Sequence, residues 1–223
     1  METKQLLGGC GEASLLQVMG SDLSIINAAR VSFASASAEF GEREAKLLRF
    51  LAENRHTSPF EHCTLQFYCR VPLFVARQHM RHRTWSYNEI SRRYTSARLD
   101  VYRPNMLMQQ DAIRRQCSAG QIEEPELPFE LLDRAISTSL DVYQRLIDSG
   151  VSREQARMVL PCSTFTEYVA TVNLHNLGHF LRLRLKSDAQ FEIRVLAEAM
   201  REMAQVHFPE TFKAWDELGI LNG

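Results

Sequence analysis

The stretch CTLQFYCRVPLFVARQHMRHR, residues 63–83, changes its apolar period halfway along. Cys63, Leu65, Phe67, Cys69 and Val71 alternate with Thr64, Gln66, Tyr68 and Arg70, and a period of two places one set on a buried sheet face. Pro72 then suits the first turn of a helix. PLFVARQHMRHR reads as that helix, with Gln78, Arg81 and His82 close together because residues three and four apart share a helical face. The following TWSYNE reads as a loop.

Before this stretch, Ser21 can cap a helix carrying Leu23, Ile26 and Asn27 into AARVSF, and a second helix is predicted from about Glu42 to Asn54. After it, QIEEPELP (Gln121 to Pro128) reads as a surface loop. Phe129, Leu132, Ala135, Ile136, Leu140, Tyr143 and Ile147 form a helical stripe that stops before Gly150. Ser152 with Gln155 makes a capping box for a short helix containing Arg157, which Pro161 ends. A strand is expected over Thr164 to Val172. Asn173 caps a helix through LHNLGHFLRLRL, and Ser187 with Gln190 caps another that runs past Met203. Helices dominate, the strands come in irregular order, and no repeat or linker divides the 223 residues. The chain therefore reads as one α+β domain, residues 1–223, with a central mixed or antiparallel sheet.

Composition narrows the function classes. Hydrophobic residues are 45% and charged residues 24%, with 10 Gly and 7 Pro, which is globular rather than disordered or fibrous. The formal charge is -1, so no global field attracts nucleic acid or an anionic membrane. Yet between Arg70 and Arg103 eight arginines face only Glu89 and Asp100, a local +6 that leaves -7 elsewhere and points to a bound anion. Cys10, Cys63, Cys69, Cys117 and Cys162 are scattered without a CxxC pair, as expected of unpaired thiols in a reducing compartment. No stretch approaches the roughly 18 apolar residues of a membrane span, and METKQLLGGCGEAS lacks a signal-peptide core, so a cytoplasmic protein is expected.

Chemistry concentrates in Arg81 to Tyr94. Its guanidinium forks, Ser91 hydroxyl and loop amides suit a small-molecule phosphate, while a solvated basic face is the ordinary alternative. Trp85, Tyr87 and Tyr94 among the arginines also allow an RNA or single-stranded nucleic-acid binding module over 81–94, although such binders are usually basic throughout. HTSPFEH from His56 lies between helix and strand, where a Ser-Pro turn explains Ser58 and Pro59 without function. His175 and His179 share a helix face with Arg182, and Arg184 lies nearly opposite His175. One pocket cannot easily collect both faces, so they would serve different active sites in an oligomer. HExxH is absent, which favours hydrogen bonding to an organic cofactor over a metal site. Cys162 has no assured base and reads as a packed thiol. GGCG at 8–11 fails as a dinucleotide fingerprint. Gly178, inside a predicted helix, costs about 1 kcal/mol relative to Ala, which close packing against a ligand would explain.

RHRTWSYNEIS fits an Arg-His-Arg, seven residues, Ser pattern. With HTSPFEH, FVARQ, SREQARMVLP, TVNLHNLGHFLRLR and DAQFEIR, it resembles the flavin-dependent thymidylate synthases from about Ser21 through the C-terminal helices. The resemblance implies a homotetramer of α+β subunits with FAD and dUMP bound at sites shared between subunits. The implied reaction is reductive methylation: methylenetetrahydrofolate supplies the carbon, NADPH reduces the flavin, and dTMP and tetrahydrofolate leave without an enzyme nucleophile. Matched by motif, Gln78, His79, Met80, Arg81, Glu89, Ile90, Ser91, Arg92, Arg93, Arg157 and Arg184 would contact dUMP. Ser58, Arg81, His82, Arg83, Glu89, Asn173, Leu174, His175 and His179 would contact FAD, with His56 beside them. Arg184 would be catalytic, its cation favouring an ionised uracil N3 and an electron-rich C5.

Overall fold

The chain opens on two strands that no sequence pattern announced, β1 (Glu2–Leu6) and β2 (Gly11–Met19), paired antiparallel around Gly8 and Gly9. Both glycines have positive φ, 72° and 88°, a conformation they adopt without the penalty a side chain would add. The computed structural model describes residues 2–95, 99–115 and 117–222. Three helices follow the hairpin: α1 (Asp22–Arg30), α2 (Glu42–Glu53) and the short α3 (Ser58–Glu61). Next come β3 (Thr64–Pro72), α4 (Leu73–His79) and β4 (Ser86–Glu89), then a ribbon of β5 (Met108–Gln110) and β6 (Ser118–Gln121). The rest is α5 (Glu126–Asp148), α6 (Arg153–Ala156), β7 (Phe165–Asn173), α7 (Leu174–Arg184), α8 (Phe191–Gln205) and α9 (Pro209–Glu217).

The main sheet runs β1-β2-β3-β7-β4 with every pair antiparallel, so the expected α+β architecture takes its antiparallel form. Register explains the core. Leu65, Phe67 and Cys69 stand opposite Val172, Ala170 and Tyr168, which puts all six on one face. That face is buried in one cluster with Leu177, Phe180 and Leu181 of α7 and Ile193, Leu196, Met200 and Met203 of α8. Each large apolar side chain so enclosed contributes about 1.5–3 kcal/mol relative to exposure. The alternate residues meet polar partners: Gln66 donates to Thr171 Oγ1 at 3.3 Å, and Arg70 lies 3.5 Å from Glu167.

Several boundaries differ from the sequence reading. TWSYNE is no simple loop, because Ser86–Glu89 pairs with Tyr168–Thr171 as the sheet's edge strand. The helix expected over 72–83 ends at His79, and Pro72 closes β3 instead of starting the helix. Of QIEEPELP, Gln121 belongs to β6 and Glu126 already begins α5. Neither Ser152 nor Ser187 caps with its side chain: Ser152 supplies its carbonyl, to the amides of Gln155 and Ala156, and α8 starts after Gln190. Asn173 does cap α7, its Oδ1 accepting from the Asn176 backbone N–H at 2.9 Å.

Candidate active site

The turn after α4 is built around buried rings. His79, fully enclosed, packs against Trp85 at 4.4 Å, Phe180 at 4.8 Å and Tyr87 at 5.3 Å between centroids, and its Nδ1 bonds the Tyr168 hydroxyl at 2.8 Å. The Tyr87 hydroxyl donates to the His79 carbonyl at 2.9 Å and the His82 carbonyl at 3.2 Å, stapling the Arg81–Arg83 turn to β4. The His79 ring belongs to the core, while its carbonyl takes part in this staple. The same rings weaken the nucleic-acid platform: Trp85 is 6% exposed and stacks at 8° on half-buried Tyr87, leaving Tyr94 as the exposed aromatic of that segment.

His82 and Arg184 form the centre of the site. Arg184 Nε donates to His82 Nε2 at 3.2 Å; a guanidinium only donates, so Nε2 carries the lone pair and the imidazole proton sits on Nδ1. Burial, reinforced by the Arg184 charge and by His179, pushes His82 down to about 4, so it supports Arg184 as a neutral ring. Burial also lowers Arg184 from its ordinary value. Among the described residues no carboxylate pairs with Arg184, Arg81 or Arg83. The His82 ring lies 6.0 Å from that of His179 and 4.9 Å from Phe180. One ring from another element thus links the two sides of α7 that the helical projection set apart.

These buried histidines predict a pH response. Burial pushes His79 down to about 3, so each ring protonates near 6.5 in the unfolded chain but only near 3 or 4 when folded. Stability present above pH 6.5 is therefore lost as pH falls through that interval, by up to about 1.4 kcal/mol per unit for each ring. Urea midpoints measured from pH 7 to 4.5 should decline steadily; a flat profile would contradict the burial argument.

Three of the other predicted nucleotide contacts, Glu89, Ile90 and Arg92, meet the start of β7. Thr166 Oγ1 donates to Glu89 at 2.6 Å, the Ile90 amide to the Glu167 carbonyl at 2.8 Å, and Arg92 to the Phe165 carbonyl at 2.9 Å. Ser91 Oγ accepts the Arg93 amide at 3.3 Å, which leaves its hydroxyl hydrogen for another acceptor. Arg93 lies over the Tyr94 ring at 5.2 Å. Met80 is half-buried against the core and Gln78 meets Gln190. Arg157 is exposed in a turn after α6, where its Nε donates to the Glu154 carbonyl at 3.3 Å.

A cavity of about 600 Å³ opens beside α7, with His56, His175, His179 and Arg182 at its polar side and Phe60, Gly178 and Trp215 beneath. A Cβ on Gly178 would stand 2.8 Å from the Trp215 ring, so this glycine makes room for the indole that lines the cavity with it. Ser58 lines a second cavity of about 690 Å³ with Arg30, Phe33 and Phe50, and His56 borders both. The Leu174 side chain is buried and its amide donates to the Cys63 carbonyl at 2.8 Å. Cys162 corrects an expectation: it is exposed where a packed thiol was expected. The structure adds Trp215 to this cavity and keeps Arg182 beside the two histidines. Arg182 was legible as the residue three after His179, whereas nothing near Trp215 linked α9 to this cavity. Among the described residues, no group of three metal-binding side chains is placed to hold a metal.

Fold and site together define an α+β class in which helix α7 carries the Arg184–His82 contact at one end and borders a cavity with an apolar floor. The profile of the family described as "Thymidylate synthase complementing protein" matches residues 14–210. A flavin-dependent thymidylate synthase of Thermus thermophilus is 41% identical over 207 residues, covering 93% of this chain and 76% of that protein. Another, of Wolbachia pipientis wMel, is 37% identical and covers 93% and 74%. The crystal structure of the UMP/dUMP methylase PolB from Streptomyces cacaoi bound with 5-Br dUMP superposes with a TM-score of 0.87 at 36% identity, covering 96% of this chain and 97% of that one. The chain belongs to the flavin-dependent thymidylate synthase family of enzymes.

Proposed function

We propose that the enzyme methylates dUMP reductively to dTMP, with methylenetetrahydrofolate as carbon donor, NADPH as reductant of a bound FAD, and tetrahydrofolate as second product. The observation that carries this reading is Arg184: a half-buried cation with no carboxylate partner among the described residues, held by a neutral imidazole. Such a cation awaits an anion, and a pyrimidine ionised at N3 fits it. Gln78, Met80, Arg81, Glu89, Ile90, Ser91, Arg92, Arg93 and Arg157 would bind and orient the nucleotide, with arginines and Ser91 near its phosphate.

The residues present suit a flavin. The larger apolar surfaces of Phe60 and Trp215 offer a ring a floor, and the exposed Arg81 and Arg83 offer charge to a pyrophosphate. Ser58, His82, Glu89, Asn173, His175 and His179 would complete its contacts, with His56 between the two cavities. The flavin when bound supplies the redox chemistry, while the chain orients substrate, stabilises charge and excludes water. A homotetramer with shared sites is supported by Val31 and Phe33, 75% and 81% exposed in the turn after α1, Phe33 also lining the second cavity. A cytoplasmic location is supported by five free cysteines; no described helix is long and apolar enough to cross a membrane.

Purified protein should be yellow, should oxidise NADPH faster when dUMP is added, and should form dTMP when the folate is supplied. Protein that takes up no FAD, or that forms no dTMP with all substrates present, would refute the assignment. Strong retention of RNA by a colourless protein would favour the nucleic-acid reading.

A further inference from the structure

Gln78 is half-buried in the last turn of α4, and Gln190 is exposed just before α8. Their amides meet, Gln78 Nε2 donating to Gln190 Oε1. Gln190 Nε2 in turn donates to Glu192 Oε2 at 2.9 Å, and Glu192 Oε1 accepts from the Tyr102 hydroxyl at 3.4 Å. The chain of contacts is anchored in the core. Tyr102 is buried, packs edge-on against Phe165 at 6.3 Å, and donates its amide to the Ser163 carbonyl at 2.8 Å. Burial raises its hydroxyl pKa, so it remains a donor at any working pH.

A primary amide has nearly the same shape either way round, so its polarity must be imposed by a neighbour. A carboxylate only accepts. Glu192 therefore makes Gln190 turn its NH2 group inward and its carbonyl toward Gln78. That carbonyl makes Gln78 offer its own NH2 group to the pair, which leaves Gln78 Oε1 directed away from it.

We propose that Gln190 is a positioning residue for the nucleotide site: backed by Glu192, it fixes the Gln78 amide so that Oε1 meets the nucleotide as a hydrogen-bond acceptor. This rests on the reading that Gln78 contacts dUMP. Its partner on the nucleotide is a donor, the sugar 3′-hydroxyl, because a uracil ionised at N3 has no imide hydrogen to give.

The test is dUMP affinity and steady-state kinetics of the FAD-loaded enzyme. Q190M, of similar length but unable to hydrogen bond, and E192Q, which no longer dictates polarity, should each weaken dUMP about tenfold, in line with loss of one ordered hydrogen bond. The loss should fall on KM, with kcat within about twofold and flavin content and Tm unchanged, a split that general loosening of the fold would not produce. Q78A should lose a similar factor, and Q78A/Q190M should be no weaker than Q78A alone. If Q190M binds dUMP like the wild type, or if its effect multiplies with that of Q78A, the positioning role is overturned. If Q78A itself binds dUMP normally, the contact reading fails first and the role falls with it. A 3′-deoxy analogue should lose affinity for the wild type and not further for Q78A; no such loss for the wild type would overturn the acceptor role.

Discussion

Arg184→Ala is expected to lower turnover by about 10²–10³-fold while FAD remains bound, the usual size of effect when a donor aimed at developing charge is removed. The flavin contacts proposed for Arg81, Arg83, His175 and His179 lie on other side chains, so the yellow colour should survive. Arg184→Lys should recover only part of the rate, because an ammonium keeps the charge but lacks the planar fork and the Nε that now donates to His82. The variant also has a readout independent of catalysis. The Arg184 charge is the second cause of His82's depressed pKa after burial, so in Arg184→Ala the His82 resonance should titrate above its present value of about 4 while staying below 6.5. Turnover within a few-fold of wild type would remove the proposed role, whatever the imidazole does.

Asp22→Ala should cost the fold about 3 kcal/mol. Asp22 is buried at the start of α1, yet its carboxylate serves α9: it accepts the Glu210 amide at 2.9 Å, the Thr211 amide at 3.1 Å and the Thr211 hydroxyl at 2.6 Å. Phe208, which precedes α9, cannot cap it, so a residue almost the whole chain away does so. Alanine would leave the fully buried Thr211 with unsatisfied donors, a penalty above that of an ordinary lost hydrogen bond. For a chain of this size, that corresponds to a fall in Tm of roughly 6–12 °C. The better-looking pair Arg201–Asp216, at 2.7 and 2.9 Å, is partly exposed and should be worth under about 1 kcal/mol. Calorimetry on Asp22→Ala and Arg201→Ala decides between these: similar losses would sink the capping argument.

The contrast between these residues shows what was readable along the chain. Arg184, His82 and Ser91 stand in runs whose spacing is local, so residue type and interval already singled them out. Asp22 looked like any acidic residue in a first helical turn, and its partners lie 188 and 189 positions away. His79 shared the Gln78–Arg81 run but turned into the core, because helix α4 ends there and the Trp85 and Tyr87 rings close over it. Edge strand β4 escaped notice for a similar reason: Ser86–Glu89 has no apolar alternation and is a strand only because β7 offers it a free edge.

From sequence alone came the period-two strand of residues 63–71, the capped helices at Ser21 and Asn173, the basic segment and the family resemblance. Each is written in intervals of two to seven residues, the reach of backbone periodicity and of a contiguous motif. Tertiary structure decided which cations lack partners, which histidines stay neutral, that Gly178 makes room for Trp215, and that Gln190 backs Gln78. Burial and pairing depend on chain segments that meet only in the folded state, and no local interval encodes them.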